Sequence, residues 1–196
     1  MNESLKMVIV LSLIAVISGG SLAVVDSFTR PQIEINKVKA IKEGLKKLIP
    51  EASDFEQMEI QEKGETFTVY RGIKGEALIG WGFLLAGSGF QDKISIVAAT
   101  NPSIKILLGI EILEQKETPG LGDNIKKNDF RAQFRGLSVM KNIGYVKNKK
   151  PEPGSNNIQA ISAATISSKK VLDIINDNLK KIRHHREIKK YMGEEK

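Results

Sequence analysis

Cysteine is absent from this chain, and histidine is confined to the adjacent pair His184 and His185. Without a thiol there is no thiolate-ligated iron–sulfur cluster, no Cys-based zinc site, no disulfide and no lipid-modified N-terminal Cys. Two imidazoles in a charged C-terminal stretch do not make a His-rich metal site and read as part of a solvated face. There is no G-x-S-x-G, no serine–histidine–aspartate arrangement and no pair of catalytic carboxylates with supporting context. No catalytic side chain and no metal ligand set is therefore expected. Gly87-Ser88-Gly89 is followed by neither a helix nor the Lys-Ser/Thr of a P-loop, so it reads as a tight turn.

Long apolar runs are scarce too, which makes Met7–Val25 conspicuous: it carries no charge and is bracketed by Lys6 and Asp26. At about 1.5 Å per residue it just matches a hydrocarbon layer of ~30 Å. A cleaved signal peptide is the alternative, but its shorter apolar core and A-x-A-like exit are not evident. Lys6 and the terminal amine precede the run, which places the N-terminus in the cytoplasm and the remainder on the extracytoplasmic side of the cell membrane, single-pass.

The 196 residues, 41% hydrophobic and 27% charged, are enough for one folded domain with an appendage. The net charge of +7 comes from scattered basic residues, thickest over Lys180–Lys190, with no aromatic-interleaved patch or recognition helix. Nucleic acid is not an expected partner. The expected division is a membrane anchor over 1–26, a linking helix over 27–50, a domain over 51–183 and a charged tail over 184–196.

The linking helix is predicted from Pro31 to Ile49. Thr29 and Gln32 have capping-box spacing, Pro31 suits a first turn, and Pro50 ends the pattern. Strands are predicted within Phe55–Ala99, at Thr66–Arg71, Glu76–Leu85 and Lys93–Thr100, with glycines at the breaks. Ser103–Gln115 is a further strand-like run, Phe130–Phe134 a short helix and Val139–Val146 another strand. Trp81 is expected in the core.

Two stretches stand apart. KETPGLGD, Lys116–Asp123, is dense in residues with special backbone freedom. Pro119-Gly120 favours a turn with positive φ at the glycine, and Gly122 offers a second permissive position. Glu117 and Thr118 are its polar handles. The second stretch, NIQAISAATISSKKV at Asn157–Val171, leads small residues and hydroxyls into a helix with Val171, Leu172, Ile175, Leu179 and Ile182 on one face. Ser162 and Thr165 are cap-type residues, and the first N–H groups of a helix favour an anion. Ala163 and Ala164 leave room for a large group to approach.

ETPGLGD, FRAQFRGL at Phe130–Leu137 and ISAATISS at Ile161–Ser168 follow one another in that order. Together they resemble the FMN-binding domain shared by the G subunit of the Rnf electron-transport complex and the C subunit of the Na⁺-translocating NADH:quinone reductase. The single anchor and the chain length resemble the Rnf subunit more. The resemblance implies an α+β fold, a twisted, mostly antiparallel sheet packed against helices near 31–49 and 165–183. It implies FMN attached by a phosphoester to Thr165, with Ser162, Ala163 and Ala164 lining the phosphate. Glu117, Thr118, Pro119, Gly120, Leu121 and Gly122 would lie against the flavin. It also implies an electron carrier without its own turnover site, the other subunits of a membrane complex as partners, and a flavin transferase for maturation. A quinone-reductase C-type subunit and a flavin-free anchored assembly module share the same pattern. Two positions depart from the family: Ala163 replaces its usual glycine, and Gln159 replaces its usual aspartate.

Overall fold

The computed structural model describes residues 2–62, 64–185 and 188–189. Most of the expected charged tail therefore lies outside the described residues. The chain forms two compact units, Met1–Ala40 and Ile41–Lys196.

Helix α1, Glu3–Leu48, begins in the first unit and ends in the second. Its apolar N-terminal part is long and uncharged enough to cross a membrane, and none of that window is buried. The break predicted at Pro31 is not there, because Pro31 lies inside the helix. Thr29 does not cap a new start; its hydroxyl donates back to the carbonyl of Val25 at 3.0 Å. Local cap chemistry pointed to a helix end, yet the same hydroxyl is used within a continuing helix, a known alternative for Thr.

The second unit is built on a five-stranded antiparallel meander. Its strands are β1 (Asp54–Glu62), β2 (Glu65–Lys74), β3 (Ala77–Ser88), β4 (Lys93–Thr100) and β5 (Leu107–Glu114), paired in that order. After β5 come a 3₁₀ turn at Gly122–Lys126, α2 (Asn128–Arg131) and a second 3₁₀ turn at Ala132–Phe134. A small parallel pair, β6 (Gly144–Val146) and β7 (Asn157–Gln159), leads to α3 (Thr165–His184).

Side-chain alternation separates two cores, one on each face of the sheet. Trp81, Phe83, Leu85, Ile94, Ile96 and Ala98 join Val171, Leu172, Ile175 and Leu179 of α3. Tyr70, Val97 and Ala99 on the opposite face pack with Ile41, Leu45 and Leu48 of α1. Close approach on that second face requires glycine: a Cβ on Gly80 would stand 2.7 Å from the carbonyl oxygen of Thr100. Trp81 is fully buried and donates from Nε1 to the Pro102 carbonyl at 3.1 Å, as a core aromatic should. The expected α+β architecture, an antiparallel sheet between helices, is the one observed.

Two strands are shorter than their sequences implied. The run from Ser103 starts to pair only at Leu107, because Asn101 Oδ1 accepts from the N–H groups of Lys105 and Ile106 and closes a turn. Buried Ile104 takes φ +52° within it. Of Val139–Val146 only the last three residues form a strand. Upstream, Asn156 Nδ2 donates to the carbonyls of Ser138, Lys141 and Asn142, holding an irregular segment that alternation alone mimics.

Candidate functional site

The two special stretches, about fifty residues apart in sequence, meet at a buried carboxylate. Glu117 is 4% exposed. Its Oε1 accepts the backbone N–H groups of Phe90 at 2.9 Å and Gln91 at 3.2 Å. Its Oε2 accepts the hydroxyl of Ser167, in the first turn of α3, at 2.5 Å. One side chain thus ties together the turn after β3, the loop after β5 and the start of α3. Gln91 Nε2 adds a bond to Thr118 Oγ1 at 3.0 Å.

The glycines around this carboxylate have different reasons to be glycine. Gly120 has φ +74°, as the Pro-Gly turn predicts. Gly122 was expected to provide conformational freedom, but what it provides is space: a Cβ there would stand 2.7 Å from Ser167 Oγ and 2.8 Å from Glu117 Cβ. Gly89 is similar, since a Cβ there would collide with Glu117 Oε1. The turn expected at Gly87–Gly89 falls later: Gly87 and Ser88 are still paired in β3, opposite Ile94 and Lys93, and the turn over 89–92 is closed by Gly89 N–H on the Asp92 carbonyl at 2.8 Å. Thr118 is half-buried, while Pro119, Gly120 and Leu121 face solvent.

At α3 the N-cap is Ala164, and no side chain caps the helix. Neither Ser162 nor Thr165 plays the capping part that their residue types allow. Thr165 is the first helical residue, and Ser162 and Ala163 are exposed in the turn before it. Ala163 has φ +63°, in the left-handed region. The turn is held instead by buried Ser168, whose Oγ accepts from Ile161 N–H and donates to the Ala164 carbonyl, both at 3.0 Å. The leading N–H groups of α3 keep no internal partner and carry the positive end of its dipole.

A cleft of about 600 Å³ opens beside this turn, with Ser162, Ile161, Ala160 and Gln159 on one wall and Phe130, Pro151 and Lys150 among its other lining residues. Its volume falls in the range of small-ligand sites, about 300–1,000 Å³. Ser155 also lines it, with an Oγ that is buried and has no hydrogen-bond partner among the described residues. Gln159 is fixed through its backbone: its N–H donates to Gln133 Oε1 at 2.6 Å, and its carbonyl accepts from Gln133 Nε2 at 3.4 Å. The carboxylates of Asp129 and Glu152 line the cleft as well, so the features that suit a planar ring bearing a phosphate are Lys150, the orphaned Ser155 hydroxyl, the apolar wall and the uncapped helix start beside it. Ser167, Gln133 and Lys150 were missed from sequence; Ser167 lay within ISAATISS and Gln133 within FRAQFRGL, but neither motif says which side chain reaches a distant partner.

Comparison with known proteins bears on this geometry. Residues 89–180 match the FMN-binding domain. They include both the Glu117 loop and the first turns of α3. The chain is similar to the G subunit of the ion-translocating oxidoreductase complex of Methanosarcina acetivorans, 27% identical over 89% of this chain and 92% of that protein. It is similar to the G subunit of the Na⁺-translocating ferredoxin:NAD⁺ oxidoreductase complex of Acetobacterium woodii, 27% identical over 87% of each chain. Among solved structures, the C subunit of the Na⁺-translocating NADH-quinone reductase from Parabacteroides distasonis superposes with a TM-score of 0.56 at 24% identity. That match covers 67% of this chain and 65% of the other, just under two thirds of its length, and shows a shared fold. The resemblance drawn from ETPGLGD, FRAQFRGL and ISAATISS is borne out.

Proposed function

We propose that this chain is the membrane-anchored flavoprotein subunit of an Rnf-type ion-translocating complex, carrying electrons through FMN esterified to Thr165. The observation that carries the reading is the meeting of the Glu117 loop with the uncapped start of α3, inside an FMN-binding domain. Similarity over nearly the full length of two G subunits supports this complex over the quinone reductase, a C subunit of which is similar over 59% of this chain and 46% of its own length.

The chain's residues have separable tasks. Thr165 offers a hydroxyl at the first helical position, and the ester forms between it and the FMN phosphate with net loss of one water. Ser162, Ala163 and Ala164 line the phosphate, and the N–H groups of the first turn offset its charge. Glu117, Thr118, Pro119, Gly120, Leu121 and Gly122 form the wall toward the flavin. FMN, when bound, supplies one- and two-electron transfer, and the protein supplies position and electrostatics. Residues 1–26 anchor the chain with the N-terminus cytoplasmic, 27–50 link, and 51–183 form the flavin domain on the outer face. A tether suits that face, where a free flavin would diffuse away. The remaining subunits of the complex, which would couple ferredoxin and NAD to Na⁺ or H⁺ transport, and a flavin transferase are its partners.

Intact mass of the full chain co-expressed with a flavin transferase tests this, followed by peptide mapping. An added FMN less one water on the Thr165 peptide is expected, and its loss in Thr165→Ala. Because the Thr165 side chain caps nothing, that variant should keep its stability to within about 0.5 kcal/mol. Covalent flavin retained in Thr165→Ala would overturn the assignment. An unmodified wild type that gains flavin in Gln159→Asp would locate the obstacle at Gln159. If both stay unmodified, the flavin-free assembly module is the better reading.

A further inference from the structure

We infer that Glu117 is the anionic positioning residue of the flavin site: its buried carboxylate locks the loop through Gly122 onto the first turn of α3 and holds down the reduction potential of a flavin on Thr165. The inference rests on the attachment proposed above and concerns what controls the group once it is there.

A carboxylate that is 4% exposed normally has a cation beside it, because desolvating a lone charge is costly. Glu117 has none among the described residues; its three donors are two backbone N–H groups and one hydroxyl. The negative charge is thus satisfied by hydrogen bonds but not neutralised. Nor is it a spare surface group, since Gly89 and Gly122 both give up a side chain so that it can sit there. Ser167, its hydroxyl partner, lies two residues beyond Thr165 in the same turn of helix. Two residues rise about 3 Å and turn about 200°, so the charge and the attachment point share the first turn from different sides. Screening by salt is weak for a buried charge over such a distance.

Taking up two electrons and one proton adds one net negative charge to the flavin ring. A fixed anion nearby opposes that addition and moves the potential negative. The carboxylate should therefore act in a direction set by its sign, which a purely mechanical brace would not do.

The test is the midpoint potential of the bound flavin in the full chain, in detergent, for wild type, Glu117→Gln and Ser167→Ala. Glu117→Gln keeps an oxygen for the Phe90 and Gln91 N–H groups while removing the charge, and its potential should move positive. Ser167→Ala keeps the charge and removes a donor that disperses it, so its potential should move negative. Both shifts should persist at high salt. Flavin present at an unchanged potential in Glu117→Gln, or at an unchanged or more positive potential in Ser167→Ala, would overturn the inference. If Glu117→Gln does not fold, the sign measured for Ser167→Ala still decides. Wild-type chain without flavin on Thr165 is a different result, because it removes the attachment reading itself.

Discussion

Replacing Ala163 with glycine should make this protein more stable, although glycine usually does the reverse. Ala163 sits at φ +63° in the turn before α3 and is exposed, so its methyl group packs little and strains the backbone. For an L-residue the left-handed region costs about 1–2 kcal/mol, a cost glycine lacks. Against this, glycine loses more chain entropy on folding, by about 0.5–1 kcal/mol. The balance is a gain of about 0.5–1 kcal/mol. For a chain of this size that raises Tm by about 1–4 °C. Calorimetric melting of the full chain in detergent would read it. Ala132→Gly is the control: Ala132 is exposed too, but at φ −60°, so only the entropic loss applies and Tm should fall. Ala163→Val should fall as well, since a β-branched residue is a poor occupant of that region. An Ala163→Gly protein that melts at or below wild type would refute the reasoning.

Ser168→Ala removes the hydroxyl that satisfies Ile161 N–H and bonds the Ala164 carbonyl, so about 1–3 kcal/mol should be lost in urea unfolding, without any change at Thr165 itself. Gly80→Ala would drive a methyl group against the Thr100 carbonyl; a loss of about 1–3 kcal/mol in the same assay is expected, because backbone there cannot turn aside. The Lys93 N–H and then Lys116 hold the Asp92 carboxyl below its usual range. A carboxyl whose folded pKa is lowered adds stability above its unfolded pKa and loses it as pH falls through the folded value. Stability should therefore decline on acidification below the ordinary carboxylate range, and Asp92→Asn should flatten that part of the curve in pH-dependent melts. High salt should shrink the difference, since Asp92 and Lys116 are both exposed to solvent.

Local signals in the chain were enough for much of the fold. Alternation located β2 and β4, an apolar run located β3, and the 3-4 spacing from Val171 to Ile182 located most of α3. Pro119-Gly120 announced a positive φ, and glycine has it. Where local signals failed, a side chain acted at a distance that the pattern did not encode. Asn101 folded the start of an apolar run into a turn, and Asn156 held another apolar run off the sheet. At Pro31 a cap-like spacing occurred inside a helix that continues through it.

The site divides in the same way. Sequence alone determined that no thiol or His-rich metal chemistry is available, that one apolar run precedes the domain, and that an ordered set of motifs marks an FMN-binding domain. These depend on residue type and order, which need no contacts to be read. Only the tertiary structure decided that Glu117 reaches Ser167, that Gly89 and Gly122 are there for space, and that Ser168 rather than Ser162 or Thr165 secures the turn. Those facts depend on which segments the meander and α3 bring within hydrogen-bond distance. Glu117 and Ser167 are 50 residues apart in the chain, well beyond the period of any helix or strand.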